Sequence, residues 1–304
     1  MTSTVAATPA LTVTATATVT RTVPVAETSF LLREAGTGDG TPVLLLHGVP
    51  ETSSLWRAVQ PALADGRRVL APDLPGLGGS TYAGPYDMPS VMAQIAALLE
   101  AECPGEPVDV VGHDWGGVVA LWLAGTRPDL VRRLAVANAP LGDVDPLRAF
   151  HIPLFALPVL PELAFRLSGK PLVDFMLAAA WRSAAQLEPD VRAEYVAAYT
   201  TPDKVAAMLG YYRAGARPRI ASLLRLGPRP VGPPVVTAEQ MLVLWGAADP
   251  VLPVSVGESL VTTLGPRCVM VTVPGAGHYV IDEAGETVTA VLIDFLADGP
   301  DGDG

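Results

Sequence analysis

Gly112-His113-Asp114-Trp115-Gly116-Gly117 is the stretch on which the reading of the fold turns. Before it, Val108-Asp109-Val110-Val111 has the pattern of a short buried strand. After it, Val118, Val119, Ala120, Leu121, Trp122 and Leu123 have the pattern of a helix. Strand, tight turn and helix in that order put Asp114 at the tip of a sharp elbow. Gly112 and Gly116 flank it because such an elbow leaves no room for a Cβ on either side, and Gly117 lets the helix approach the sheet closely. No Gly-x-Ser-x-Gly occurs in the chain, so Asp114 rather than a serine is the candidate nucleophile.

Outward from the elbow, strand-like runs alternate with helical patterns, which predicts an α/β architecture: a mostly parallel central sheet flanked by helices. Val43-Leu44-Leu45-Leu46 ends at His47-Gly48-Val49-Pro50, and Arg68-Val69-Leu70-Ala71-Pro72-Asp73 follows. Beyond the elbow come Leu134-Ala135-Val136-Ala137, Met241-Leu242-Val243-Leu244-Trp245 and Cys268-Val269-Met270-Val271-Thr272-Val273. Ligands of such sheets gather beyond the carboxyl ends of the strands, and Asp114, Asp249 and His278 each stand just past one.

Residues 141–237 break the alternation. They are apolar and helix-like, with prolines at 146, 153, 158, 161 and 171, and they close on the proline-rich 217–234. This predicts a helical lid inserted into a core made of 21–140 and 238–297. Within it, 150–167 is apolar enough to suggest a membrane span, but three prolines and Glu162 interrupt it. Residues 1–20 carry no charge, no basic start and no continuous apolar core, so they read as a disordered leader rather than a signal peptide. The polar, glycine-rich 298–304 reads as a flexible tail.

The chain has 304 residues, half of them hydrophobic and 17% charged, enough to bury a large core. A net charge of −11 and a pI near 4.8 argue against nucleic acid or an anionic membrane as partner, since phosphate is held by clustered Lys and Arg. Cys103 and Cys268 form neither a disulfide framework nor a metal site, which makes a reducing cytoplasm the expected compartment.

Taken together, the motifs resemble those of the α/β-hydrolase superfamily, in its epoxide hydrolase and haloalkane dehalogenase branch, over roughly residues 20–297. His47-Gly48-Val49-Pro50, the aspartate elbow, Trp245-Gly246-Ala247-Ala248-Asp249-Pro250 and Gly275-Ala276-Gly277-His278 occur in that family's order. The resemblance implies a covalent alkyl ester on Asp114, formed by carboxylate attack on an sp³ carbon. Water activated by His278 would hydrolyse it, with Asp249 holding the imidazole. Backbone N–H groups of Val49 and Trp115 would form the oxyanion hole. His47 and His113 are expected to serve structure.

The expected helix over 202–215, with Thr201 as N-cap, puts Val205, Met208, Leu209 and Tyr212 on one face. By periodicity Tyr212 is a core residue. By resemblance, Tyr211-Tyr212-Arg213-Ala214 is similar to the epoxide hydrolase lid motif whose second aromatic donates to the epoxide oxygen. A second lid tyrosine is usual in that family; His151, in Phe150-His151-Ile152-Pro153-Leu154-Phe155, stands at the matching position. Either group can donate one hydrogen bond, so Tyr212 and His151 are both candidate catalytic residues. Trp115, Ile152 and Phe155 are candidate pocket walls.

Three readings follow. The first is hydrolysis of a small hydrophobic epoxide by water, with Phe155, Leu157, Leu160 and Phe175 as apolar lid residues. A haloalkane dehalogenase with the same three residues is the alternative, although Val49 stands where those enzymes commonly carry a halide-binding asparagine. Fluoroacetate dehalogenases are similar at His151 and Tyr212 but carry tryptophan where Ile152 stands and arginines where Trp115 and Val118 stand. An inactive hydrolase fold acting as a binding module is the third reading, and the occupied triad positions weigh against it. Tyr195 and Tyr199 are expected to pack. No cofactor or metal is implied.

Overall fold

The computed structural model describes residues 2–4, 17–140, 145, 147–226 and 235–297. Nine strands form one sheet: β1 (Thr2–Thr4), β2 (Thr18–Val25), β3 (Thr28–Ala35), β4 (Gly40–Leu46), β5 (Arg67–Pro72), β6 (Val108–His113), β7 (Val131–Ala137), β8 (Gln240–Gly246) and β9 (Cys268–Val273). Their order is β1-β9-β8-β7-β6-β4-β5-β3-β2. Pairings from β1 through β4 to β5 are parallel, and at one margin β3 pairs antiparallel with both β5 and β2.

Alternate residues of the central strands feed two cores. Leu44, Leu46, Val110, Leu134, Val136 and Val243 face one side; Val43, Leu45, Val111, Ala135, Ala137 and Leu242 face the other. This double burial explains the unbroken apolar runs of β4 and β6. Against the first face pack α2 (Met88–Glu102), α3 (Trp115–Thr126) and α8 (Val254–Leu264). Against the second pack α1 (Val59–Leu63) and α10 (Gly285–Leu296), while the four-residue α9 (Val280–Glu283) follows the last strand. A buried Leu or Val contributes about 1.5–3 kcal/mol over its exposed state, so these two layers dominate the stability of the core.

Among the described residues between β7 and β8 lie four helices: α4 (His151–Phe155), α5 (Leu160–Ala180), α6 (Pro189–Ala198) and α7 (Pro202–Leu223). The insertion is bound to the core by directed contacts. Glu194 of α6 accepts from Thr52 Oγ1 at 2.7 Å and pairs with Arg33 at 3.0 Å; Tyr199 Oη donates to the Glu51 carbonyl at 2.5 Å. Helix α5 bends at Ser168 (φ −145°), close before Pro171, which lacks an N–H and crowds the preceding turn.

Two expectations need correction. The leader is ordered in part: Thr2–Thr4 adds a strand beside Met270, Val271 and Thr272, and β2 begins at Thr18. An outer strand offers unpaired N–H and C=O groups, and the β-branched threonines suit that edge; composition alone does not reveal it. Helix α7 also runs past 215, through Pro218, to Leu223. Thr201 stands at its N-cap without capping it, donating instead to Asp203 Oδ1 at 2.6 Å. The expected tail at 298–304, and Pro146, Pro233 and Pro234, lie outside the described residues.

Candidate active site

Asp114 sits between β6 and α3 with φ +49° and ψ −120°, a conformation costly for a residue with a side chain, of order 1–3 kcal/mol. The elbow is held by close backbone approach. A Cβ on Gly112 would stand 2.4 Å from the Gly116 carbonyl oxygen, and one on Gly116 would stand 2.3 Å from that of Leu46. Asp114 N donates to the Ala137 carbonyl at 3.1 Å, tying the elbow to the end of β7. On its other side Val49 N donates to Asp114 Oδ2 at 3.0 Å. Trp115 opens α3, so its N–H belongs to the first turn, whose donors have no partner within the helix.

His278 faces Asp114. Its Nε2 is 3.7 Å from Asp114 Oδ1, and its Nδ1 is 2.9 Å from Asp249 Oδ2. Asp249 is held from three sides: Val251 N at 2.8 Å and Leu252 N at 3.0 Å donate to Oδ1, and Asn138 Nδ2 donates to Oδ2 at 2.6 Å. Burial alone would lower the His278 pKa, but the Asp249 charge and hydrogen bond, together with the nearby Asp114 carboxylate, hold it well above the ordinary histidine value. Burial likewise opposes ionisation of Asp114 and Asp249, yet His278 and the surrounding donors keep both below the usual carboxylate range. The His278 ring thus stands between two carboxylates, and both favour its charged form.

Beneath it His113 bridges two elements, with Nδ1 2.8 Å from Glu51 Oε2 and Nε2 2.8 Å from the His278 carbonyl oxygen. Burial would lower its pKa, but the Glu51 charge and hydrogen bond raise it. Gly48 N also donates to Glu51 Oε2, at 3.1 Å. His47 is held mainly by backbone: Nδ1 is 2.7 Å from the Gly48 carbonyl oxygen and Leu74 N donates to Nε2 at 2.9 Å, with Asp73 Oδ1 3.8 Å from Nε2.

A cavity of about 170 Å³ opens above Asp114 and His278, and Val49, Trp115, His151, Ile152, Phe155 and Tyr212 all line it. The Tyr212 ring is held edge-on by Trp115 at 5.3 Å, Phe155 at 5.1 Å and His151 at 5.8 Å between centroids. Burial, with the Asp114 charge adding to it, pushes the Tyr212 phenol well up, so it stays protonated as a donor. Burial brings His151 down to about 4, against the opposing pull of Asp114, which leaves a neutral imidazole with one N–H to give.

The candidate site residues therefore line one cavity, except Asp249, which stands behind His278 and reaches the cavity through that ring. Leu157 and Leu160 do not: they are solvent-exposed and point away, whereas Phe175 lines the cavity while remaining half exposed. Amphipathic spacing marks apolar positions without saying which side of a thin insertion they serve. Tyr195 and Tyr199 are buried as expected and also donate through their hydroxyls, Tyr195 to Asp282 at 3.1 Å. Sequence reasoning missed Glu51, Asn138 and Tyr279. Glu51 directly follows the His47-Gly48-Val49-Pro50 motif and Asn138 directly follows β7, so the rule of strand carboxyl ends could have found both. Among the described residues no cluster of His, Cys, Asp or Glu is arranged to hold a metal, and no helix is long and apolar enough to cross a membrane.

The model of the alpha/beta hydrolase fold matches residues 41–285. The chain belongs to this family. Among relatives of this α/β-hydrolase, the AB hydrolase superfamily protein YfhM of Bacillus subtilis is 29% identical over 276 residues, 86% of this chain and 92% of that protein. Epoxide hydrolase A of Mycobacterium tuberculosis is 29% identical over 314 residues, with the same coverage of 86% and 92%. The crystal structure of Epoxide Hydrolase A from Mycobacterium thermoresistibile superposes with a TM-score of 0.75 at 27% identity, covering 92% of this chain and 98% of that one. These relatives match the resemblance read from the motifs, to the epoxide hydrolase branch of the superfamily.

Proposed function

We propose that this α/β-hydrolase converts a small hydrophobic epoxide and water to a vicinal diol. The observation that carries the reading is the pair of neutral donors, Tyr212 and His151, lining the cavity above an ionised Asp114. Asp114 attacks a ring carbon, the C–O bond breaks, and the leaving oxygen takes its proton from the Tyr212 hydroxyl with His151 as second donor. Ester formation removes the Asp114 charge, so one of the influences that raise His278 disappears; the extra proton of the ring returns through water to the Tyr212 phenolate left by ring opening, and the neutral imidazole becomes a competent base. It then takes a proton from water, whose oxygen attacks the ester carbonyl. The resulting oxyanion occupies the place of Asp114 Oδ2, where Val49 N already donates and the Trp115 N–H joins it. Collapse breaks the bond between the Asp114 carbonyl carbon and the alkyl oxygen, the protonated His278 gives its proton to that departing oxygen to release the diol, and the new Asp114 carboxyl passes its proton to His278, which regenerates the carboxylate.

The haloalkane reading has one feature in its favour, the Trp115 indole on the cavity wall. Val49, however, brings no side-chain donor for a halide. The test is intact-protein mass spectrometry of His278→Gln with terminal epoxides and, separately, 1-haloalkanes. A covalent adduct equal to the whole epoxide mass supports epoxide hydrolysis. An alkyl adduct with released halide replaces that reading by dehalogenation, and no adduct from either removes Asp114 as nucleophile for both.

A further inference from the structure

Four backbone N–H groups converge on one buried carboxylate outside the reacting centre. Glu283 ends α9, five residues after His278, and is 5% exposed. Its Oε2 accepts from Gly277 N at 2.9 Å, Arg182 N at 2.8 Å and Ser183 N at 2.6 Å, and its Oε1 accepts from Tyr279 N at 3.1 Å. Gly277 and Tyr279 flank His278. Arg182 and Ser183 belong to the turn that follows α5 in the insertion.

The same two segments meet directly. His278 N donates to the Ala180 carbonyl at 3.1 Å, and a Cβ on Gly277 would stand 2.5 Å from that oxygen and 2.8 Å from Glu283 Oε1. Asp282 extends the junction to α6 through Tyr195 and to Arg57, which also pairs with Glu188. Only an acceptor with two oxygens satisfies four converging donors; an amide has one acceptor oxygen and turns an NH₂ toward an N–H. Bonds from N–H to an ionised acceptor are among the stronger ones.

We propose that Glu283 is a positioning residue that clasps the insertion and the His278 loop into one unit, so that the seating of the insertion sets the place of the imidazole. The proposal rests on His278 being the base of the reaction above. Ester formation needs Asp114 and the donors of α4 and α7, whereas ester hydrolysis needs His278 in register. Loss of the clasp therefore falls on the second step, and a displacement of about 1 Å at a reacting group costs on the order of 10²-fold.

Two readouts need no substrate. In the unmodified enzyme, hydrogen exchange at the amides of Arg182, Ser183, Gly277 and Tyr279 should proceed at one common protection level, and in Glu283→Gln all four should lose protection together. Histidine NMR titration should move His278 toward the ordinary histidine value in Glu283→Gln. It should also do so in Ser183→Pro, which removes a donor of the insertion and none of the His278 loop. With styrene oxide in single-turnover experiments, Glu283→Gln should slow ester hydrolysis about 10²-fold while ester formation changes little, and Glu283→Asp should restore part of the loss. Fast exchange of Arg182 and Ser183 beside protected Gly277 and Tyr279 would overturn the clasp, as would an unshifted His278 in Ser183→Pro. Equal slowing of both kinetic steps would reduce Glu283 to a structural role. If the unmodified enzyme fails to open the epoxide while exchange and titration behave as stated, the epoxide reading fails and the clasp stands.

Discussion

The two walls of the cavity are built on different physics. On the sheet side Asp114, His278 and Asp249 are each fixed by directed hydrogen bonds, several of them from backbone groups at strand ends. On the insertion side Tyr212, His151 and Phe155 are placed by edge-to-face ring contacts, with centroids 5.1–5.9 Å apart. A hydrogen bond fixes angle and charge, while ring packing fixes mainly volume. Charge chemistry is thus preorganised where the backbone is stiff. Shape is left to a wall built from ring packing.

The largest effect is expected at Asp114. Asp114→Ala should lower turnover by at least about 10⁴-fold while circular dichroism and thermal unfolding stay close to those of the parent, because the side chain serves no packing layer; measurable turnover near the parent level would move the nucleophile elsewhere. Across the cavity, Tyr212→Phe keeps the ring edges and loses only the hydroxyl. Its cost should be about 10²-fold in the rate of ester formation, read as burst amplitude by quenched-flow mass spectrometry. His151→Phe should cost about tenfold, the worth of one neutral hydrogen bond; an effect as large as that at Tyr212 would make the two donors equal partners.

A pH series separates the walls without mutation. His278 is raised and Asp114 lowered, so ester formation persists as the pH falls while hydrolysis, which needs the unprotonated imidazole, is lost. The covalent ester should therefore accumulate toward the acid side of about pH 5–8, and a constant ester fraction across that range would contradict the assignment of the base. The smallest effect belongs to Thr201→Ala. Because its hydroxyl bonds Asp203 rather than capping α7, the change should cost under about 0.5 kcal/mol, where a working cap costs about 1 kcal/mol; chemical denaturation decides.

Much of the sheet side is legible in the amino-acid sequence. The strand runs, the order of Asp114, Asp249 and His278, and the glycines of the elbow are local patterns, and each corresponds to one strand or turn. The insertion is legible as helices but not as a surface, so Leu157 and Leu160 read as lid residues of the pocket and yet face solvent. Glu51, Asn138 and Glu283 escape because the partners that give them their roles lie far along the chain: His113 is 62 positions from Glu51, Asp249 is 111 from Asn138 and Arg182 is 101 from Glu283. The strand at Thr2–Thr4 escapes because an unpaired sheet edge exists only once the sheet is formed.

By itself the sequence determined the periodicity of the elements, the turn chemistry around Asp114 and the chain order of the candidate triad, since these depend on backbone sterics and burial within a few residues. The tertiary structure alone decided which donors face Asp114, how far the His278 ring stands from it, and that the Glu283 carboxylate bonds to both the insertion and the His278 loop. Those are outcomes of long-range packing, in which the partner of each polar group is chosen by the whole fold rather than by its neighbours in the chain.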